Sequence, residues 1–97
     1  MFTWLNKQGV RSDSGFEFQF TDRFTAEYRE NGRVTSMYVE GNGRSITIYE
    51  GSVRGLWNSI SDPSERKKEK DRVIGNLRAA LAFQGLELDL GAGDEPR

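Results

Sequence analysis

The sequence predicts a small α+β domain: a single antiparallel β-sheet of about five to seven strands, one long C-terminal helix packed on one of its faces, and a short final strand. Three observations predict it. Apolar and polar residues alternate through the first half of the 97-residue chain, the period becomes helical after Pro63, and alternation returns at Leu86, Leu88 and Leu90. Residues 1–90 read as one globular domain and 91–97 as a flexible C-terminal tail, with no repeat or linker between them.

The strands come first. Phe16, Phe18 and Phe20 alternate with Glu17 and Gln19, and Phe24, Ala26 and Tyr28 alternate with Thr25, Glu27 and Arg29. Such alternation marks half-buried antiparallel strands. Asn31-Gly32 is a strong hairpin signal, because a type I′ turn needs positive φ at both central residues. Thr21-Asp22-Arg23 reads as a three-residue loop and Gly41-Asn42-Gly43-Arg44 as a tight turn. These turns set a register: Tyr28 opposite Thr35, Ala26 opposite Met37, Phe24 opposite Val39, Phe20 opposite Phe24, and Phe18 opposite Ala26. A four-residue last loop sets Ile46 opposite Val39 and Ile48 opposite Met37, and burial favours it over a three-residue loop, which would turn both Ile side chains to water. The expected core face is Phe16, Phe18, Phe20, Phe24, Ala26, Tyr28, Met37, Val39, Ile46 and Ile48. Segments 2–5 and 10–12 add one or two further strands.

The helix follows a connector at 51–57. Asp62 can accept from free N–H groups, Pro63 suits the first helical position, and Glu65 suits the positive end of the helix dipole. Val73, Ile74, Leu77, Ala80 and Leu81 follow helical spacing with Phe83 alongside, and Gly85 is the expected stop. A helix of roughly 22 residues spans about 33 Å. Its first half, 65–72, holds no apolar residue, so only the second half can pack on the sheet.

Composition narrows the chemistry. The chain has no Cys and no His, which removes disulfides, thiolate nucleophiles, imidazole metal ligands and a Ser-His-Asp triad. No catalytic, metal or cofactor site is expected, and the chain does not read as an enzyme. Fourteen Lys and Arg against fifteen Asp and Glu leave a net charge of −1, which argues against a dedicated nucleic-acid binder. No apolar run is long enough to span a bilayer and the start lacks a signal-peptide pattern, so a cytoplasmic protein without a membrane partner is expected.

Four features carry competing readings. Glu17 and Glu27, cross-strand neighbours in the expected register, form either an acid pair for proton transfer or two solvated strand residues. Gly41-Asn42-Gly43-Arg44-Ser45 is either an anion cradle or, with strands on both sides and no Walker spacing, a hairpin turn. The run Glu65-Arg66-Lys67-Lys68-Glu69-Lys70-Asp71-Arg72 is either a phosphate-contacting patch or a solvated helix face laced with ion pairs. Trp4 and Trp57 are either core residues or interface anchors. The open sheet face is the most informative surface. It carries Glu17, Gln19, Thr25, Glu27, Arg29, Ser36, Tyr38, Thr47 and Tyr49, and reads either as a polar-rimmed aromatic contact patch or as an ordinary solvated face.

Several stretches resemble small bacterial immunity proteins of contact-dependent growth-inhibition and polymorphic-toxin systems, the CdiI-like proteins and the Immunity protein 74 family. They are Met1-Phe2-Thr3-Trp4, Gly9-Val10 with Ser14-Gly15-Phe16, Arg23-Phe24-Thr25-Ala26-Glu27-Tyr28-Arg29-Glu30 with Gly32-Arg33-Val34, and Ile74-Gly75-Asn76-Leu77-Arg78 with Phe83-Gln84-Gly85. The resemblance covers most of the chain and is weakest between Arg44 and Lys70. It implies an α+β protein that binds and neutralises a cognate toxin domain of the CdiA C-terminal type, commonly a nuclease, as a monomer or one-to-one heterodimer. Contact positions do not carry over from such a family. The expected toxin-binding residues, Glu17, Gln19, Glu27, Arg29, Tyr38, Thr47 and Tyr49, therefore rest on surface reasoning alone. The alternative is a small nucleic-acid adaptor using Arg66, Lys67, Lys68, Lys70 and Arg72.

Overall fold

The computed structural model describes residues 1–93. Seven strands, β1 (Phe2–Asn6), β2 (Gly9–Ser12), β3 (Phe16–Phe20), β4 (Thr25–Glu30), β5 (Arg33–Asn42), β6 (Ser45–Tyr49) and β7 (Glu87–Gly91), form one sheet in sequence order. Between β6 and β7 lie the short helix α1 (Glu50–Val53), a 3₁₀ turn (Arg54–Leu56) and the long helix α2 (Pro63–Phe83). The expected α+β architecture is the observed one, with one refinement: the sheet is mixed. β1 to β6 pair antiparallel, whereas β7 lies parallel to β6. The long helix runs back across the sheet, so the next strand re-enters in the direction of β6, which is the geometry of a β-α-β crossover.

Turn chemistry sets the registers. Asn31 and Gly32 have φ of 54° and 77°, and the turn they make pairs Tyr28 with Thr35 and Ala26 with Met37 as expected. The other two hairpins each slip by two residues. Thr21 N–H donates to Thr25 O at 3.0 Å, their hydroxyls lie 2.7 Å apart, and Asp22 Oδ1 accepts from Phe24 N–H at 2.8 Å. The loop is thereby 22–24, and Phe20 faces Ala26, Phe18 faces Tyr28. At the β5–β6 turn, Asn42 pairs with Ser45, so a two-residue turn with Gly43 at φ 65° replaces the expected four-residue loop. Val39 then faces Ile48, and Gly41 faces Ile46. A two-residue slip keeps every side chain on its own face, so the core survives both corrections.

The core joins Phe16, Phe18, Ala26, Tyr28, Met37, Val39, Ile46 and Ile48 of the sheet to Val73, Ile74, Leu77, Ala80 and Leu81 of α2, with Val10, Val53, Trp57 and Leu88. Two expected core residues depart from it. Phe20 is only partly buried, edge-on to Phe18 with ring centres 5.3 Å apart. Phe24 is 47% exposed, because the shifted loop puts it in the turn, under the Arg23 guanidinium. Of the two tryptophans, Trp57 is buried and Trp4 is 50% exposed. Gly91 belongs to β7, and Gly93 O accepts from Gly51 N–H at 2.9 Å, which ties that segment to α1. Residues 94–97 lie outside the described residues.

Helix α2 is capped as its sequence demands. Asp62 Oδ1 accepts from Ser64 N–H at 3.0 Å, and Pro63 takes the first helical position. At the other end Gly85, at φ 80°, donates to Ala82 O while Leu86 donates to Leu81 O, a Schellman termination. The buried residues of α2 all fall in its second half. The first half is held by polar contacts instead. Arg72 grips the Glu30 carboxylate with two hydrogen bonds of 2.8 Å and also reaches Glu69, and Lys70 pairs with Glu50. Behind this clamp the buried Tyr28 hydroxyl donates to Glu30 Oε1 at 3.0 Å and accepts from Asn76 Nδ2 at 2.9 Å. The Arg72 hydrogen bonds hold the Glu30 carboxyl below its ordinary pKa. Burial pushes the Tyr28 phenol up to about 12.

Candidate functional site

The face of the sheet opposite α2 is built by the residues that alternate with the core. On β2 and β3 these are Arg11, Glu17 and Gln19; on β4, Thr25, Glu27 and Arg29; on β5, Val34, Ser36, Tyr38 and Glu40; on β6 and β7, Thr47, Tyr49, Glu87 and Asp89. All seven expected site residues lie on this face. They fall into two groups, because β5 pairs with β4 through Arg33–Tyr38 and with β6 only from Val39 onward.

The first group is a cross-strand lattice. Asn6 Nδ2 donates to Gln19 Oε1 at 3.2 Å, Gln19 Nε2 donates to Glu27 Oε1 at 3.3 Å, and Arg29 donates to the same oxygen at 3.2 Å. Alongside it, Arg11 Nε donates to Glu17 Oε2 at 2.7 Å. The lattice depends on close approach at Gly9, which faces Gln19: a Cβ built there would lie 2.5 Å from Gln19 Cβ. The expected Glu17–Glu27 acid pair is not formed. The slipped loop sets Glu17 opposite Arg29 and Glu27 opposite Gln19, so each carboxylate meets cations and amides instead of the other acid.

The second group is more acidic. Tyr49 OH donates to Glu40 Oε2 at 2.7 Å, and Thr47 lies between Glu40 and Asp89. Tyr38 is 41% exposed, and its N–H is satisfied by Ser52 Oγ at 3.0 Å, where α1 covers the part of β5 that β6 leaves free. Gly91 comes close under Thr47 and Tyr49, with a built Cβ only 2.8 Å from Thr47 Cγ2.

Sequence reasoning missed Arg11, Asn6, Glu40 and Val34. The first two depend on the β1–β2 register, where Asn6 Oδ1 accepts from Gln8 N–H at 2.7 Å in the turn, and on the β2–β3 register, where Ser12 Oγ accepts from Ser14 N–H at 3.1 Å and Gly15 stands at φ 108°. The acids on β7 were legible as residues, but their place on this face needed the parallel pairing.

The basic run at the start of α2 is largely neutralised. Lys67 pairs with Asp71 at 2.9 Å, Lys68 with Glu65 at 3.6 Å, Lys70 with Glu50, and Arg72 with Glu30 and Glu69. Arg66 donates to the carbonyls of Ile60 and Ser61. The Gly41–Gly43 segment is a strand end and hairpin turn. Among the described residues no three acidic side chains converge as a metal site requires, and no helix is long and apolar enough to cross a membrane. Comparison of the chain with family models, curated proteins and solved structures finds no match.

Proposed function

We propose that the chain is an immunity-type inhibitor that binds a cognate toxin domain through the open face of its sheet, in the cytoplasm of the cell that makes both. One observation supports this most. The open face gathers five carboxylates, Glu17, Glu27, Glu40, Glu87 and Asp89, against two guanidiniums, Arg11 and Arg29, although the whole chain is nearly neutral. A nuclease cleft is basic because it holds phosphates, and an acidic surface steers toward such a cleft and speeds association. The cross-strand lattice adds to the argument. Side chains already held by neighbours lose little freedom on docking, which lowers the entropic cost of binding. Tyr38 and Val34, exposed beside these charges, supply the apolar contact area that interfaces use.

The test is co-expression with the toxin domain encoded beside this chain. Cells carrying both are expected to survive, and the purified pair to co-elute as a one-to-one complex at micromolar concentration. Separate elution, with no rescue of growth, overturns the reading. Tyr38→Ala and Glu27→Lys are expected to weaken protection more than substitution of Lys67 or Lys68. The opposite ranking would place the partner on the helical layer.

A further inference from the structure

We infer that β1 is a self-association edge, at which a second copy of this chain adds its own β1 antiparallel about a two-fold axis at Trp4. The inference is independent of the toxin-binding reading, because it concerns the rim of the sheet and not its open face.

The sheet has two outer strands, β1 and β7. Outer strands invite pairing with other chains, and proteins blunt them with charges or proline. β7 carries Glu87 and Asp89, so two copies meeting there would oppose acid to acid. β1 reads Phe2-Thr3-Trp4-Leu5-Asn6, with neither charge nor proline.

Backbone direction agrees. Met1 O accepts from Asp13 N–H at 3.0 Å, in the same register that pairs Thr3 with Arg11. Hydrogen-bonded and non-hydrogen-bonded pairs alternate in an antiparallel ladder, so Thr3 turns its N–H and C=O toward β2. Phe2 and Trp4 turn theirs outward, on the side where no further strand of the described residues lies. A two-fold at Trp4 uses those outward groups on both copies.

The side chains fit the same symmetry. Trp4 packs on Phe83 at the end of α2, ring centres 5.5 Å apart, and the two remain 50% and 42% exposed. The axis brings this pair from one copy against its equivalent in the other. It also carries Lys7 of one copy to the Met1 end of the second, where the amino group and the Asp13 carboxylate, 3.7 Å apart, already form an ion pair of no net charge. The facing strands therefore bury aromatic surface with no net charge opposing Lys7 at either end. A β1-to-β7 contact would instead grow head to tail without closing. The irregularity between Trp4 and Asn6 shortens the ladder, so the contact belongs to the small, transient class.

Sedimentation equilibrium of the chain without an N-terminal tag tests this, together with Trp4→Lys and with Thr3→Lys, which adds an edge charge at an exposed position. The wild type is expected to pass from monomer to dimer with a midpoint on the order of 100 µM. Both variants are expected to shift that midpoint at least about tenfold upward. In hydrogen exchange, the Phe2 and Trp4 amides should slow as concentration rises while the Thr3 amide does not change. A wild type that stays monomeric at about 1 mM, or a dimer indifferent to both substitutions, overturns the proposal. So does protection of the Phe2 and Trp4 amides by the toxin domain alone, with none gained on self-concentration.

Discussion

On the helix-covered side of the sheet, Arg72 and Glu30 share two hydrogen bonds of 2.8 Å in front of a buried tyrosine; on the open side, Arg11 and Glu17 share one of 2.7 Å in front of water. The residue types match, but the surroundings do not. The Glu30 side chain is 14% exposed and also receives Tyr28, which in turn receives Asn76, so the group ties β4 to the first buried turn of α2. The Arg11 side chain is 62% exposed, and its ion pair is screened by solvent. The same chemistry fixes tertiary structure on one side and shapes a surface on the other. Burial decides which.

Substitutions can break that comparison at several levels. The largest expected loss is on the helix side and apolar: Leu77→Ala should destabilise by about 3 kcal/mol in urea unfolding, because Leu77 is fully buried between α2 and the sheet. Glu30→Ala should cost about 2 kcal/mol, since it strands the Tyr28 hydroxyl and removes the main partner of Arg72 outside the helix. Tyr28→Phe should cost about 1 kcal/mol, because it leaves the Asn76 amide without that acceptor. On the open side, Arg11→Ala should change stability by less than about 0.5 kcal/mol. If Arg11→Ala matched Glu30→Ala, the distinction between the two faces would fail.

The pH dependence sharpens the same contrast. Glu30 has a lowered pKa in the folded state, so its contribution is present above its unfolded value near 4.5 and is lost as pH falls through the folded one. Tyr28 is raised from 10.0 to about 12, so its neutral form supports folding below pH 10, and that support is lost as pH rises from 10 toward 12. Thermal melts of wild type and Tyr28→Phe should therefore converge on the alkaline side.

The architecture was legible where local chemistry dominates. Asn31-Gly32 gave its register, Asp62-Pro63 gave the helix start, and Gly85 gave its end. Phe24 shows why other parts were not legible. Its place depended on whether Asp22 and the Thr21–Thr25 pair would close the loop one residue later, a balance of single hydrogen bonds that alternation does not encode. The parallel pairing of β7 was hidden for a different reason: Leu86, Leu88 and Leu90 specify a strand but not its direction. The residues expected on the open face all lie there, because both slips preserved side-chain parity, but Arg11, Val34 and Glu40 lie there too. The partnerships on that face were not legible, and the Glu17–Glu27 pair dissolved for that reason.

The crossover into β7 also orders how the molecule assembles. The hairpins from β1 to β6 close over a few residues each and can form as the chain is synthesised. Ser45 finds Glu87 only after a loop of roughly forty residues has been drawn together. Until α2 and β7 are in place the apolar underside of a six-stranded meander stays uncovered, so the stretch from Pro63 to Gly91 governs the interval in which a nascent copy is most prone to aggregate.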